Sequence, residues 1–440
     1  MSPLTSLPFK ESVSNASMRF NILDEWLAWQ EGLHFTAIEL GLDRCKLVAE
    51  RMGLLSPDFT VISIAGTNGK GSSAAMLDLV LRNSGYNVAC YTSPHLIRYN
   101  ERIRIKGVEV DDEMLCQSFN RIDKARVDIS LTYFEFGTLA ALDLFHQAGI
   151  ELAIMEVGLG GRLDAVNILD ADVALVCSID LDHEKWLGYS REEIGYEKAG
   201  ILRAKTPAVC TDPKPPQSII DHAATIGAEL YTLGRDFTFE VFDDSWTWQT
   251  GQSILTGLPK TNLDNAGQVQ NAAGVLKVLD ILSDRFAVNP EVINASLRDF
   301  TLSGRFQVIP GQVAFVLDVA HNREAAQGLA ENLEKLSCAG KTHIVIGMLK
   351  DKNHHAIFQA LSPAGDLWYV ASLDSDRGEQ SQVLLKELSQ MVDNDRIDIF
   401  EAIIPALECA RDQADAGDRI VVTGSFLMVG AAIRWLNIEH

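Results

Sequence analysis

Short apolar runs, each closed by a glycine or a polar cluster, set the rhythm of the first half of the chain. Val61 to Ala65, Asn87 to Thr92, Leu152 to Val157 and Val173 to Ile179 are too short for helices and read as buried strands. Between them, Ser73 to Leu81, Asp112 to Val127 and Phe134 to Ala148 read as helices. Arg102 to Ile105 alternates as a half-exposed strand. Upstream, Asn21 to Gln30 has the apolar spacing of an amphipathic helix, and Leu40 to Arg44 leads into a second helix through residue 51. Residues 1–17 look like a loose start. Buried strands alternating with helices predict a doubly wound parallel sheet, in which ligands sit beyond the carboxyl ends of the strands. Polar clusters at 66–72, 92–95, 156–164 and 180–185 all follow strands, which points to one shared site.

Beyond residue 205 the pattern weakens. Phe237 to Ile254, with Trp246 and Trp248, reads as a small antiparallel excursion, and Asn262 to Leu282 as a helix. Thr301 to Gly304 is a hinge candidate. A second α/β unit follows, with strands at Val313 to Val319, Thr342 to Gly347, Leu367 to Ala371 and Arg419 to Thr423. There is no internal repeat and no low-complexity tract.

The 440 residues suffice for about two or three domains. The formal net charge of -22 argues against a nucleic-acid or anionic-membrane surface, which rewards Lys and Arg. It leaves a phosphate ligand open, because that needs only a local positive pocket. The seven cysteines (45, 90, 116, 177, 210, 338 and 409) are scattered without a CxxC pair, as expected of reduced thiols in a cytoplasmic protein. No apolar stretch suggests a signal peptide or a transmembrane helix.

The most informative stretch joins the Val61 to Ala65 strand to the helix from Ser73. Gly66-Thr67-Asn68-Gly69-Lys70-Gly71-Ser72 is a Gly-rich turn with a lysine at a helix N-terminus, a combination that cradles phosphate. The strict Walker A pattern fails, since Ile64 stands where its first glycine belongs and Gly71 follows the lysine. Glu156, after its strand, reads either as a solvated loop residue or as a Mg²⁺ ligand, with Ser93 a second candidate. His183 reads as a structural histidine or a metal ligand, and Lys198 as a solvated helix residue or, buried and neutral beside a metal, as a lysine that takes up CO₂ and becomes an oxygen ligand. Arg305 and Asp318 read as turn and strand-end residues, or as a second-domain pair on the nucleotide's phosphates and ribose.

Taken together these residues resemble the Mur ligase family, and within it the dihydrofolate synthase/folylpolyglutamate synthase branch. The resemblance spans about residues 20–435. It rests on Gly66 to Ser72, Thr92-Ser93-Pro94-His95-Leu96 with Glu101-Arg102, Glu156 to Asp164, Leu181-Asp182-His183, Glu197-Lys198-Ala199-Gly200, Gly304-Arg305-Phe306 and Asp318-Val319-Ala320-His321-Asn322. It departs from the family at Asp180, Ser303 and Arg323.

The resemblance implies an α/β fold: a P-loop Mur-ligase-type central domain with a parallel sheet over residues 1–300, and a smaller Rossmann-like domain over 304–440. It implies ATP held by Gly66, Thr67, Asn68, Gly69, Lys70, Gly71 and Ser72 with Asn271, Arg305 and Asp318. Two Mg²⁺ ions are implied, one on Ser93 and Glu156, the other on His183 and an N6-carboxylysine at Lys198. Lys70, His183 and Lys198 would then act directly in catalysis. The pterin–benzoate substrate is placed near Thr36, Ala37, Ile38, Thr132, Tyr133, Phe134, Glu135, Leu163, Asp164 and Ala165. His321 and Ser425 are placed near the incoming L-glutamate. Residues 131–138 are similar to the bifunctional type, which accepts dihydropteroate as well as tetrahydrofolate. A cytoplasmic monomer without nucleic-acid or membrane partners is expected. Two alternatives stay within the ligases: folylpolyglutamate synthesis alone, or a peptidoglycan Mur-type amino-acid ligase. Against the latter, only about 60 residues precede the phosphate loop, short for a UDP-binding domain. A nucleotide-dependent switch is the non-enzymatic alternative, and it has no use for an acid and an amine pocket.

Overall fold

The computed structural model describes residues 18–260 and 266–438. The predicted loose start at 1–17, and residues 262–265 of the predicted 262–282 helix, lie outside them; the described helix is Ala266–Leu282.

The first sheet has eight strands: β1 (Thr60–Ala65), β2 (Val88–Tyr91), β3 (Ile103–Ile105), β4 (Val108–Glu109), β5 (Leu152–Glu156), β6 (Val173–Val176), β7 (Pro207–Cys210) and β8 (Glu229–Thr232). They lie in the order β4-β3-β2-β5-β1-β6-β7-β8. From β2 to β8 every neighbouring pair is parallel, and β3 and β4 add an antiparallel edge. Strand β1 is buried throughout because it sits in the middle with both faces covered. Val61 and Ala65 face one core, with Phe145 and Ile194, while Ile62 and Ile64 face the other, with Leu77 and Leu276.

The expected antiparallel excursion is the three-stranded sheet of β9 (Phe237–Val241), β10 (Ser245–Thr250) and β11 (Ile254–Pro259). Trp246 and Trp248 are buried there. Trp248 Nε1 donates to the Ala273 carbonyl at 3.1 Å, which ties this sheet to the helix Ala266–Leu282.

The third sheet, that of the second α/β unit, comprises β12 (Gln307–Ile309), β13 (Ala314–Leu317), β14 (Thr342–Ile346), β15 (Leu367–Ala371), β16 (Ile397–Phe400) and β17 (Arg419–Thr423), ordered β12-β13-β17-β14-β15-β16. Only β12 runs antiparallel to its neighbour. The loop after β2 docks on this unit: Leu96 and Ile97 pack into its core, and the Leu96 carbonyl fills the space where Gly430 lacks a side chain. Strands β4, β7, β8, β12 and β16 are additions to the elements expected from the sequence. All seven cysteines are free thiols; five are buried, and Cys338 and Cys409 are half-buried. Among the described residues no helix is long and apolar enough to cross a membrane.

Candidate active site

The Gly66–Ser72 loop leaves the carboxyl end of β1 and enters the helix Lys70–Asn83. Gly69 holds φ +90°, and a Cβ there would lie 2.3 Å from Asn271 Oδ1, so the loop is closed by a side chain of the helix 266–282. Lys70 Nζ donates to the carbonyls of Gly66 (2.9 Å) and Thr67 (3.1 Å), placing its charge inside the turn. Ser72 is buried and accepts from Gln268 Nε2 at 3.1 Å. Thr67 exchanges hydrogen bonds with the backbone of Asp180, so this departure from the family meets the loop through its main chain.

Glu156 ends β5 beside this loop, 4% exposed. Its Oε2 accepts the Ser93 N–H at 3.0 Å, which brings the two proposed metal ligands together. Burial, foremost, raises its carboxyl above the usual range, against the pull of Lys70. A Cβ on Gly71 would lie 3.9 Å from both Glu156 carboxylate oxygens and 3.9 Å from Arg305 Nη2. The second unit therefore reaches the phosphate loop through Arg305. Asp318 accepts the N–H groups of Phe306 (2.7 Å) and Ala320 (2.8 Å), which fixes the turn that carries Arg305.

Lys198 is 3% exposed, and burial, then Lys70, pull its ammonium down to about 7. An amine with that value is partly neutral at physiological pH, the form that reacts with CO₂. His183 stands in a left-handed conformation (φ 51°) and is depressed to about 4, by burial first and Lys352 next. Hard oxygens from Ser93 and Glu156, and from Lys198 were it carbamylated, would suit Mg²⁺, which takes few protein ligands when phosphates supply the rest. Among the described residues no group of three or more His, Cys, Asp or Glu forms a fuller metal cage.

The residues placed at the pterin–benzoate substrate fall into two kinds. Phe134 lies over the backbone of Gly158, where a Cβ would approach its ring to 2.5 Å, and Tyr133 meets Tyr99 edge-on at 5.5 Å. Gly41 N–H donates to the Leu163 carbonyl at 3.1 Å, which brings the segment carrying Thr36, Ala37 and Ile38 toward Leu163; Thr36 and Ala37 are exposed. The polar groups of Thr132 and Glu135 form a capping box on the helix Tyr133–Ala148, and Glu135 also meets Arg44. Asp164 caps the turn Ala165–Ile168 and accepts from Val166 and Leu159; burial pushes its carboxyl up to about 7. Ala165 is buried. Ser425 likewise caps the helix Phe426–Trp435, accepting from Met428 at 3.2 Å.

On the second unit, His321 Nδ1 donates to the Val319 carbonyl at 2.8 Å, so Nε2 is left as an acceptor, 3.7 Å from Asp182 Oδ2. Asn322 and Glu324 bond Asn68 of the phosphate loop, and Glu324 also accepts from Ser178. Lys352 pairs with Asp182 at 2.7 Å. Glu324, Asp351 and Lys352 went unnoticed in the sequence; the signal was a charged cluster, Lys350-Asp351-Lys352, following an apolar strand.

Comparison with known proteins places the chain in a family. The family model "Mur ligase, glutamate ligase domain" matches residues 304–426. The Escherichia coli dihydrofolate synthase/folylpolyglutamate synthase is 42% identical over 95% of this chain and 96% of its own. The chain belongs to this family of Mur ligases. An E. coli FolC complex with DHPP and ADP superposes with a TM-score of 0.90 at 40% identity, covering 96% of this chain and 99% of that one. A bifunctional folylpolyglutamate synthase/dihydrofolate synthase with Mn, AMPPNP and L-glutamate bound gives 0.87 at 44% identity, covering 95% and 98%. The present chain shares the two-domain Mur-ligase-type architecture of these structures, and its identity to the synthases over almost its full length favours that branch over the switch and peptidoglycan alternatives.

Proposed function

We propose that this protein is an ATP-dependent ligase that joins L-glutamate to dihydropteroate, giving dihydrofolate, and to tetrahydrofolate and its polyglutamates. Residues 1–300 bind ATP and the folate acid, and residues 304–440 bring in the amine. The observation that carries the reading is the convergence at Gly71, where Glu156 from the end of one sheet's strand and Arg305 from the turn ahead of the other sheet flank a phosphate loop. Relatives of the same length and fold are described with ADP, AMPPNP, Mn and L-glutamate bound.

The acid's carboxylate attacks the γ-phosphorus of ATP, the bond to the bridging oxygen breaks, and ADP leaves with that electron pair. The glutamate nitrogen then attacks the acyl carbon, loses its proton, and expels phosphate. Lys70, the loop N–H groups and Arg305 hold the transferring phosphoryl group. Asn271 and Asp318 complete the nucleotide site. Ser93 and Glu156 would hold one Mg²⁺, and His183 with carbamylated Lys198 a second. Bound there, such ions neutralise phosphoryl charge and align the reactants. His321 presents the unprotonated Nε2 to the incoming amine, and Phe134 and Tyr133 offer the pterin–benzoate a ring-lined wall. Closure of the second domain excludes water from the acyl phosphate. The protein acts as a cytoplasmic monomer on small molecules, without nucleic-acid or membrane partners. Replacing glutamate with hydroxylamine tests the sequence of steps: a folate hydroxamate is expected, and ADP formation without any hydroxamate would refute the acyl phosphate.

A further inference from the structure

A lysine outside every motif of the sequence lies at the contact between the two domains. Lys352 stands on the turn after β14, and its side chain is 3% exposed. Its Nζ donates to Asp182 Oδ1 at 2.7 Å. The same oxygen accepts the backbone N–H of His183 at 2.8 Å. Asp182 Oδ2 accepts from Asn322 Nδ2 at 3.3 Å and lies 3.7 Å from His321 Nε2 and 4.0 Å from His183 Nε2. A single carboxylate of the first domain thus gathers a lysine, an amide and an imidazole from the second, and backbone and imidazole from its own. The residue beside Lys352 grips the same dipeptide: Asp351 Oδ2 is 3.8 Å from His183 Nδ1, and Arg377 holds that carboxylate at 3.0 Å.

We propose that Lys352 is a positioning residue for glutamate transfer: by pairing with Asp182 across the domain interface, it fixes the closed arrangement in which His183 and His321 face the reaction. This rests on the ligase reading. The physical reason is twofold. The Asp182 side chain is only 8% exposed, so without its cation the carboxylate loses the one lysine that pairs with it and the contact loses its reason to close. The two imidazoles also come from different domains, so their relative placement depends on closure, and small misplacements are costly for an oriented reaction. A loosely closed site lets water reach the acyl phosphate before the amine does.

The test compares phosphate released with L-glutamate incorporated into dihydropteroate, using the full-length protein with ATP and Mg²⁺. The wild type should release one phosphate per glutamate; a wild type that incorporates none defeats the ligase reading rather than this proposal. In Lys352→Met the ratio should rise at least about twofold and KM for glutamate about tenfold, with KM for ATP nearly unchanged. Lys352→Arg, which keeps the charge, should bring the ratio back toward one. If Lys352→Met does not fold, Lys352→Gln keeps a donor without the charge and should show the same uncoupling. A ratio of one in the folded uncharged variant overturns the proposal. So does an equal loss in every kinetic parameter with no rescue by arginine.

Discussion

Replacing Gly69 with alanine separates the cost of a backbone conformation from the cost of disturbing the nucleotide site. Gly69 has φ +90°, where an L side chain costs about 1–2 kcal/mol. Its new Cβ would also sit 2.3 Å from Asn271 Oδ1, so the amide must retreat by roughly 1 Å to reach ordinary contact. A displacement of that size at a positioning group costs on the order of a hundredfold in rate, about 2.7 kcal/mol in the transition state. Gly234→Ala is the control: its φ of +88° carries the same backbone cost, but its Cβ meets nothing within 4 Å. Both variants should lose a few degrees of Tm in thermal unfolding. Only Gly69→Ala should lose about a hundredfold in kcat/KM for ATP, measured by ADP release at saturating acid and glutamate. Equal kinetics in the two variants would refute the placement of ATP on this loop.

Lys70→Ala removes the charge from the phosphate cradle, so turnover measured by phosphate release should fall by at least about a hundredfold to a thousandfold with the fold intact by circular dichroism. Lys198 is half neutral near pH 7, so incubation with ¹³C-bicarbonate should give a carbamate NMR signal at pH 8 that fades as pH falls below 7 and is absent in Lys198→Ala. The ammonium form cannot react, which sets that sign. Thr132→Ala breaks a capping box and should lower stability by about 1 kcal/mol in denaturant unfolding, whatever it does to KM for dihydropteroate.

The central strands were legible because burial on both faces demands near-continuous apolar runs such as Val61 to Ala65, broken only by Ser63, and Val173 to Val176. Strand β7 was missed because it begins with proline, which reads as a turn or strand breaker. Strand β8 was missed because the sheet edge leaves Glu229 exposed, so no apolar run forms. The same physics sorts the site. Glu156, Ser93 and the 66–72 loop were readable because each ends its own strand of one parallel sheet. Lys352 and Asp182 are 170 positions apart and meet only when two domains close, which no local pattern encodes. At Thr132 and Glu135 the resemblance pointed to substrate, yet the spacing Thr-x-x-Glu before an apolar run was itself the signature of the capping box that the structure contains.

The most direct measurement is phosphate release from ATP by the purified protein with Mg²⁺ and L-glutamate, offering dihydropteroate in one reaction and tetrahydrofolate in another. Turnover with both acids, each gaining a glutamyl residue by mass, is the predicted result. Turnover with tetrahydrofolate alone would contradict the dihydrofolate synthase half, and silence with both would contradict the ligase itself.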